Sequence, residues 1–486
     1  MIRPDKIVEE LLNNCNDTPL SSQKNLVSSD YYKKLCDEVL CILNNNKDAS
    51  LNEIREILYK DSNLDSILRR FFIEQKKAPG AVIGYGTSLY QENIVIGNSQ
   101  EVEEKNGELV YSPKEMETDS IFDLASVTKL FTSVAILQLA GEEKLRLDDS
   151  IKKYLPQFNN LGNHNIFNLL TYQPYYTEKR IDTAKSYDEA ERLLFNARPY
   201  EASEFIGRDR YNDIAPMILK YIVEKVSGLN FWDYVKTNIL DRKNMTNTFV
   251  KVPDSEISKV VNFNYFGKIL NDGSFSLQRD VKPGIATDTK AVALGQQEGI
   301  LSGHAGLFST VDDMTSFERG LIDGTILHPL LTKEMAKART LNDVIYSSGI
   351  CYVPYYGFLC SSKHPNKYFS EVFLPLSGSS LSKTGWAGNI VTIDPLNDIT
   401  MTFLSNRVHN RLVSYDGKYN YKLAGSPTQK KYIDEKGHEF IDASLYAFER
   451  LEITDACLEL ALKERILEEI VGRKEISEEK SLRKIK

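Results

Sequence analysis

The sequence has few of the residues that build metal and disulfide sites. Its 486 residues include six cysteines and six histidines. No two cysteines stand in CxxC spacing, and a chain of this size can bury a core without disulfide staples, so we expect reduced thiols. The histidines form no HExxH or other metal-ligand pattern, and the sequence has no glycine-rich phosphate loop. It therefore predicts neither a catalytic metal nor a bound cofactor.

An excess of positive charge is also missing. The chain has 60 Lys and Arg residues against 68 Asp and Glu residues, which gives a formal net charge of -8. Proteins that bind nucleic acid by neutralising phosphates need a surplus of lysine and arginine. The charge balance therefore predicts no nucleic-acid partner.

Long apolar runs are scarce as well. The beginning of the chain, MIRPDKIVEELLNN, interrupts its apolar stretches with charges, which is unlike a signal peptide. Residues 344–362 form the longest uncharged stretch, but their proline, glycine and serine residues suit turns and strands better than a membrane helix. We therefore expect a cytoplasmic protein with no membrane span.

The composition that remains, 42% hydrophobic and 26% charged, is typical of a globular protein. The pattern of apolar residues divides the chain into three predicted parts. Residues 1–63 have short stretches of helical spacing and are predicted to form a helical N-terminal extension. Residues 64–471 are predicted to form the main domain. Residues 472–486 mix both signs of charge and are expected to be a solvated helix end or disordered.

Within the main domain the pattern predicts an α+β fold, with an antiparallel sheet and helices on its faces. A helix over 64–75 precedes a hairpin formed by AVIGYGTSL and NIVIG. The segment TKLFTSVAILQLAGEEKL is apolar on nearly all sides, which predicts a central buried helix. SLSKTGWAGNIVTID and DITMTFLSNR are typical of two antiparallel strands around the turn PLND, and a final helix is predicted over 453–471.

A serine and a lysine stand three residues apart at the start of the buried helix, as Ser126-Val127-Thr128-Lys129. Residues i and i+3 share one face of a helix, so the Lys129 amine can reach the Ser126 oxygen. A serine hydroxyl needs a neighbour that takes its proton before it becomes a strong nucleophile. Lysine can serve as that base only where burial or another cation lowers its pKa. Ser-x-x-Lys spacing recurs elsewhere in the chain, but only Ser126 lies between a strand-like segment and so apolar a helix.

The segment FDLASVTKLFTSVAILQLAGEEKLRLDDSIKKYLPQF closely resembles the nucleophile segment of serine β-lactamases and penicillin-binding proteins. Its branch contains class C β-lactamases, D,D-peptidases, D-aminopeptidases and related esterases. YNDIAPMILKYIVEKVSGLNFWDYV looks like the second motif of this family, and SKTGWAGNIVTIDP carries the third, Lys-Thr-Gly. The resemblance runs over about 64–471. It implies a sheet flanked by helices, a mostly helical subdomain, and an active site between the two.

The resemblance also implies roles for three catalytic residues. Ser126 would be the nucleophile that becomes acylated. Lys129 would act as its proton acceptor or as an electrostatic helper. Tyr211 would be the second general base and acid, which passes the proton to the leaving group.

The third motif would bind the substrate. By resemblance, Lys383 supplies positive charge beside Tyr211 and can hold a substrate carboxylate, and Thr384 offers its hydroxyl to the same carboxylate. Gly385 would let the substrate approach the strand closely. The backbone N–H groups of Ser126 and Trp386 would form the oxyanion hole.

The second motif departs from the family pattern at Asp213, where β-lactamases of this branch usually have an amide. This carboxylate, which we assign to substrate binding, is more like the family's esterases and peptidases. The loop NLLTYQPYYTEKR also differs from the usual LLTHTSGL, so Tyr172, Tyr175 and Tyr176 are expected in a rebuilt pocket wall. The aromatic run YVPYYGF fits either a half-buried strand or a pocket lining. His304 is expected to be a turn or packing residue under the cleft.

These residues lead to a hypothesis with two alternatives. The first is a serine hydrolase that forms an acyl-enzyme on an amide or ester, with a peptide or carboxylate-bearing compound as its small-molecule or peptide substrate. The second is a carboxylesterase acting on neutral esters. The third is a sensor or binding protein on the same scaffold that deacylates slowly. Self-association through the N-terminal helices is a further expectation.

Overall fold

The protein is described by a computed structural model, which covers residues 29–485 with gaps at 159, 161–163, 175, 177–179, 201–210, 271, 340–344, 348–349, 353–354, 365–369, 415–422, 427–428, 444–445, 474–475 and 477. Tyr175 therefore lies outside the described residues. The helices in the described part are α1 Ser29–Asn45, α2 Leu51–Asp61, α3 Leu64–Leu68, α4 Thr128–Gly141, α5 Ile151–Tyr154, α6 Ile166–Leu170, α7 Tyr187–Phe195, α8 Ile214–Ser227, α9 Phe231–Val235, α10 Thr289–Ala293, α11 Val311–Ile322, α12 Pro329–Ala336 and α13 Tyr446–Val471.

The strands in the described part are β1 Gly80–Gly86, β2 Tyr90–Lys105, β3 Glu108–Glu115, β4 Phe122–Asp123, β5 Phe266–Ile269, β6 Phe275–Gln278, β7 Phe308–Ser309, β8 Ile345–Ser347, β9 Ile350–Tyr352, β10 Ser361–Ser362, β11 Leu381–Thr384, β12 Ile390–Asp394, β13 Ile399–Ser405, β14 Arg411–Ser414, β15 Ala424–Ser426, β16 Gln429–Ile433, β17 Glu439–Asp442 and β18 Glu479–Ile485.

The main sheet has the strand order β10-β11-β12-β13-β1-β2-β18, with β3 also paired to β2. Its pairs are antiparallel except for β2 and β18, which run parallel. A smaller sheet has the order β15-β16-β17-β14-β5-β6. Sheets and helices together form the α+β fold that the sequence predicts.

Both faces of the main sheet are buried, because helices cover each of them. Side chains alternate between the two faces of a strand, so neighbouring residues of β1 enter different cores. Val82 packs in the core that contains the buried helix α4 and helix α8. Ala81 and Ile83 pack in the core that contains α13. The first core joins the sheet to the mostly helical half of the molecule, and the cleft described below opens at the end of that junction.

The described part of the N-terminal extension, α1 and α2, is helical as the sequence predicts. Leu35 and Val39 of α1 and Ile54 of α2 are buried in the same core as α13. Arg55 forms a buried ion pair with Glu464 of α13, with 2.8 Å between Nη2 and Oε1. These helices thus pack against the sheet domain. Self-association through them and the boundary at residue 63 stay predictions.

The expectation that residues 472–486 are a solvated helix end or disordered is wrong for β18. This strand lies parallel to β2, with Glu479 opposite Tyr90 and Ile485 opposite Ile96. Four of its seven residues are charged, and ion pairs join Arg483 to Glu56 and Glu479 to Arg55. Apolar and polar residues do not alternate along an edge strand that is held by ion pairs. The spacing of apolar residues therefore does not predict such a strand.

The third-motif segment and the segment after it form three strands, β11, β12 and β13. The sequence predicted two strands here. β11 ends at Thr384, and a turn then separates it from β12, with the Gly388 N–H donating to the Gly385 carbonyl. Gly388 has a φ of 122°, a conformation that favours glycine. The predicted turn at PLND does connect β12 and β13. The additional turn carries Trp386 to the mouth of the cleft.

Among the described residues, no helix combines the length and the apolarity that are needed to cross a bilayer. Four cysteines are described as free thiols. Cys360 and Cys457 are buried, whereas Cys36 is half-buried and Cys41 is exposed.

Candidate active site

Ser126, the predicted nucleophile, lies in a short 3-10 turn, Ala125–Val127, just before α4. Ala125 has a φ of 47°, which is unusual for a residue other than glycine and indicates local strain. The Asp123 carboxylate holds this conformation, because its Oδ1 accepts the Ala125 N–H at 2.8 Å and its Oδ2 accepts the Thr287 hydroxyl at 2.8 Å. Ser126 is thereby fixed at the edge of the cleft, half-buried, at the start of a buried helix.

Lys129 lies directly beneath Ser126, as the helical spacing predicts. Its side chain is fully buried, and its Nζ donates to Ser126 Oγ at 2.8 Å and to the His304 carbonyl at 3.0 Å. The third partner of Nζ is the Asp213 carboxylate, with Oδ1 at 2.7 Å. An ammonium with three acceptors is held in a single position.

Burial alone would lower the pKa of Lys129, but the Asp213 carboxylate and Tyr211 together outweigh it and raise the pKa above its usual value. Lys129 is therefore an ammonium that donates hydrogen bonds. Lys129 could act as a base only with a lowered pKa, and its pKa is raised instead. Of the two roles implied by the resemblance, this geometry favours the electrostatic helper.

Asp213 divides its two oxygens between two lysines. Oδ1 contacts Lys129, and Oδ2 lies 2.7 Å from Lys290 Nζ. Burial would raise the pKa of this carboxyl, yet Lys129, His304 and Lys290 hold it well below its usual value. These contacts make Asp213 a residue that positions Lys129. Its assignment to substrate binding stays a prediction.

His304 is fully buried, in agreement with its predicted packing role. Its Nε2 lies 3.1 Å from Asp288 Oδ1, and its Nδ1 lies 3.1 Å from the Ser302 hydroxyl. His304, Asp213 and Asp288 bring ligand atoms within 4.8 Å of one another, a spacing that could hold a metal ion. However, both oxygens of Asp213 face lysine ammonium groups, which supply the positive charge at this point. The donor set thus suits an ion-pair network better than a metal.

Tyr211 reaches the nucleophile from the other side. Its hydroxyl donates to Ser126 Oγ at 2.7 Å. Two ammonium groups flank its ring, with Lys129 Nζ at 5.1 Å and Lys383 Nζ at 4.5 Å from the ring centroid. Both ammonium groups lie within the distance at which a cation is attracted to an aromatic ring. The residue after it, Asn212, accepts the Ala215 N–H at 2.8 Å and so ties Tyr211 to the start of α8.

The third motif lies opposite, along the end of β11 and the turn that follows. A side chain at Gly385 would meet the Leu124 carbonyl at 2.6 Å, so this glycine lets β11 approach the nucleophile turn. Its N–H donates to the Asn389 carbonyl at 2.9 Å. Trp386 stands beyond it, 40% exposed, on the same cleft as Ser126.

Among the described residues, the aromatic side chains that line the cleft are Tyr211, Tyr356 and Trp386. The expectation that Tyr172 and Tyr176 of the altered loop form the pocket wall is wrong, because both lie buried behind it. The Tyr172 ring is fully buried and lies 5.2 Å from both the Tyr211 and Tyr356 rings. Tyr176 is also fully buried. Tyr356, from the run YVPYYGF, lines the cleft, which agrees with the pocket interpretation of that run.

The structure brings most of the predicted site residues together. Five of them line one cleft: Ser126, Tyr211, Lys383, Thr384 and Trp386. Tyr356 lines it too, together with two residues that the sequence did not single out, Ser361 and Glu371. Lys129 and Asp213 lie beneath this surface, in contact with each other. The Thr384 hydroxyl donates to Glu371 Oε1 at 3.1 Å.

A family model for beta-lactamases matches residues 70–424, which is more than half of the chain. The chain belongs to the beta-lactamase family. This confirms the resemblance that the three motifs indicate, and it makes the protein a serine hydrolase of the beta-lactamase family.

Relatives of this beta-lactamase family member have the names of a carboxypeptidase and an amidase. A protein from Escherichia coli K12, named as a candidate D-alanyl-D-alanine carboxypeptidase, is 27% identical over 335 residues, which are 62% of this chain and 72% of that protein. The N-acetylmuramyl-L-alanine amidase of Bacillus subtilis 168 is 24% identical over 336 residues, or 64% of this chain and 73% of the amidase.

A solved structure of the same fold is that of EstCE1, a hydrolase with promiscuous acyltransferase activity. The match has a TM-score of 0.53 at 17% identity, and it covers 83% of this chain and 99% of EstCE1. At this identity the likeness concerns the fold alone.

Proposed function

We propose that this protein hydrolyses an amide or ester through a covalent acyl-enzyme at Ser126. The observation that carries the proposal is the pair of hydrogen bonds on Ser126 Oγ, from the Lys129 ammonium at 2.8 Å and from the Tyr211 hydroxyl at 2.7 Å. A serine oxygen between a fixed cation and an acid–base group has what nucleophilic catalysis needs.

The order of steps follows from these contacts. Tyr211, which lies between the Lys129 and Lys383 ammonium groups, accepts the Ser126 proton while its own hydroxyl proton moves toward the leaving group. Ser126 Oγ then bonds to the acyl carbon, the C–N or C–O bond breaks, and the leaving group takes the proton from Tyr211. A water molecule repeats the sequence in reverse and releases the acid. Lys129 remains an ammonium throughout, because Asp213 keeps its pKa raised.

Two observations bear on the substrate class. The carboxypeptidase and amidase relatives favour a peptide-like amide, and the leading hypothesis keeps this class. The second candidate, an ester without a free carboxylate, is favoured by the Thr384 hydroxyl, which already donates to Glu371. The third, a sensor that deacylates slowly, differs from both only in the lifetime of its adduct.

The experiment is acylation followed by intact mass measurement. The protein is mixed with a fluorophosphonate and, separately, with a penicillin, and its mass is followed over hours, with Ser126→Ala as the comparison. We expect an adduct that forms at Ser126 only. A penicillin adduct that decays indicates a hydrolase, one that persists for hours indicates the sensor, and the absence of an adduct with either reagent contradicts the proposal.

A further inference from the structure

Glu371 lies at the position where the resemblance expects a substrate carboxylate. Its Oε1 accepts the Thr384 hydroxyl at 3.1 Å, and its Oε2 accepts the Ser361 hydroxyl at 2.6 Å. All three residues line the cleft that contains Ser126. The Glu371 carboxylate thus accepts the hydrogen bond that the Thr384 hydroxyl could otherwise donate to a ligand.

Neighbouring contacts hold Glu371 in this place. On one side of it, the Ser370 hydroxyl accepts the His364 N–H at 3.2 Å and donates to the Val372 carbonyl at 2.6 Å. On the other side, Val372 is almost fully buried. Ser361 belongs to β10, which pairs with β11. The carboxylate is therefore fixed before a substrate arrives, as selective sites require.

This arrangement changes what the end of β11 offers to a ligand. Thr384 has a single hydroxyl hydrogen, and it points to Glu371, so the oxygens here can only accept hydrogen bonds. Lys383, the other residue implied for carboxylate binding, directs its ammonium toward the Tyr211 ring, 4.5 Å from the centroid. Among the described residues Lys383 forms no ion pair with Glu371, and the Arg450 guanidinium that interacts with Glu371 is buried and does not line the cleft. A ligand carboxylate would meet like charge, whereas an ammonium would meet acceptors.

We propose that Glu371 is a specificity-determining residue that makes the cleft select a substrate carrying an ammonium group and disfavour one carrying a free carboxylate. The inference rests on the proposed function, because it concerns the substrate of the Ser126 reaction. It narrows the amide or ester class to compounds with an amine close to the reacting bond.

The test compares three p-nitrophenyl esters of equal length whose acyl chains end in an amine, a methyl group or a carboxylate. We expect kcat/KM to be about tenfold or more higher for the amine ester than for the methyl ester, and lowest for the carboxylate ester, since a hydrogen bond to a charged group contributes about 1.5–3 kcal/mol.

The variant is Glu371→Gln, which keeps the size and a hydrogen-bond acceptor but removes the charge. We expect the amine-to-methyl ratio of kcat/KM to fall about tenfold and the carboxylate-to-methyl ratio to rise. Glu435→Gln is the matched control, since Glu435 is exposed in the turn between β16 and β17. Both ratios should stay at the wild-type value in this control.

A measurement on the unaltered enzyme keeps the inference testable if Glu371→Gln does not fold. Butylamine should inhibit methyl-ester hydrolysis at a concentration about tenfold lower than butyrate does. A wild-type preference for the carboxylate ester, unchanged ratios in Glu371→Gln, or stronger inhibition by butyrate would each overturn the assignment. Failure of the proposed function looks different, because none of the three esters would then be hydrolysed at Ser126.

Discussion

The two halves of the cleft hold their charges in different ways. In the nucleophile half, which contains Ser126, Lys129 and Tyr211, the ammonium groups of Lys129 and Lys290 are balanced within the protein by the Asp213 and Asp288 carboxylates. The strand half contains Ser361, Glu371, Lys383 and Thr384. There the half-buried Glu371 accepts hydrogen bonds from two neutral hydroxyls. The first half is complete without a substrate, whereas the second keeps a charge that a substrate can neutralise.

This contrast predicts which substitutions slow the reaction of every substrate and which alter the preference among substrates. Changes in the nucleophile half should slow the reaction of every substrate, because they alter the groups that move the proton. Changes in the strand half should alter the order of preference among substrates. The following predictions test that division, and Lys383 tests it most severely because it lies on the strand but faces Tyr211.

Ser126→Ala should lower kcat/KM for every ester by about a thousandfold or more, because it removes the nucleophile. Steady-state hydrolysis of the three p-nitrophenyl esters measures the loss. Ser133→Ala is the matched control, since Ser133 is buried in the same helix and its hydroxyl has no hydrogen-bond partner among the described residues. Residual activity of Ser126→Ala near that of the control would refute the assignment of the nucleophile.

Tyr211→Phe should lower kcat for all three esters by about a hundredfold or more, which is the usual contribution of general acid–base catalysis. The same hydrolysis measurements report it. Tyr176→Phe should change kcat little, because the buried Tyr176 hydroxyl has no hydrogen-bond partner among the described residues. A loss confined to one ester would show that Tyr211 binds substrate instead of moving the proton.

Lys383→Met should lower kcat/KM about tenfold or more, and by a similar factor for the amine, methyl and carboxylate esters. The reason is that its ammonium stabilises charge on Tyr211 during proton transfer. The exposed Lys430→Met provides the control. If only the carboxylate ester suffered, Lys383 would be a carboxylate-binding residue, and the division between the two halves would be wrong.

Asp213→Asn should move the alkaline limb of the pH profile of kcat/KM to lower pH by about one unit or more. In the wild-type protein the Asp213 carboxylate raises the pKa of Lys129, and without it burial would lower that pKa. The ammonium, and the activity that depends on it, would then be lost at lower pH. The exposed Asp254→Asn should keep the wild-type profile. An alkaline limb that does not move would show that Lys129 does not act as an ammonium.

Much of the nucleophile half could be predicted from the sequence, because its residues lie in short motifs. Helical spacing alone brings Lys129 to Ser126, and the position of Tyr211 before an apolar helix matches the family pattern. The ion pair between Asp213 and Lys290 could not be predicted in this way. Lys290 lies far along the chain, in α10, and only the tertiary fold brings its ammonium to the carboxylate.

The strand half was less accessible to sequence reasoning. Lys383 and Thr384 follow from the third motif, but Glu371 and Ser361 have no motif of their own. Ser361 reaches the cleft because β10 pairs with β11, and Glu371 comes from the irregular segment between them. The same limit explains β18, whose pairing depends on ion pairs with distant residues. Contacts made by loops and by charged edge strands produce no regular spacing of apolar residues, so the sequence pattern does not predict them.

The central claim is that acylation occurs on Ser126, and rapid quenching followed by peptide mapping tests it most directly. The protein is mixed with the methyl-terminated p-nitrophenyl ester, stopped in acid within the first turnover, digested, and analysed by mass spectrometry. We expect a peptide that contains Ser126 and carries one acyl group, together with a burst of p-nitrophenol of about one equivalent. An acyl group on another residue, or full turnover without any acylated peptide, would contradict it.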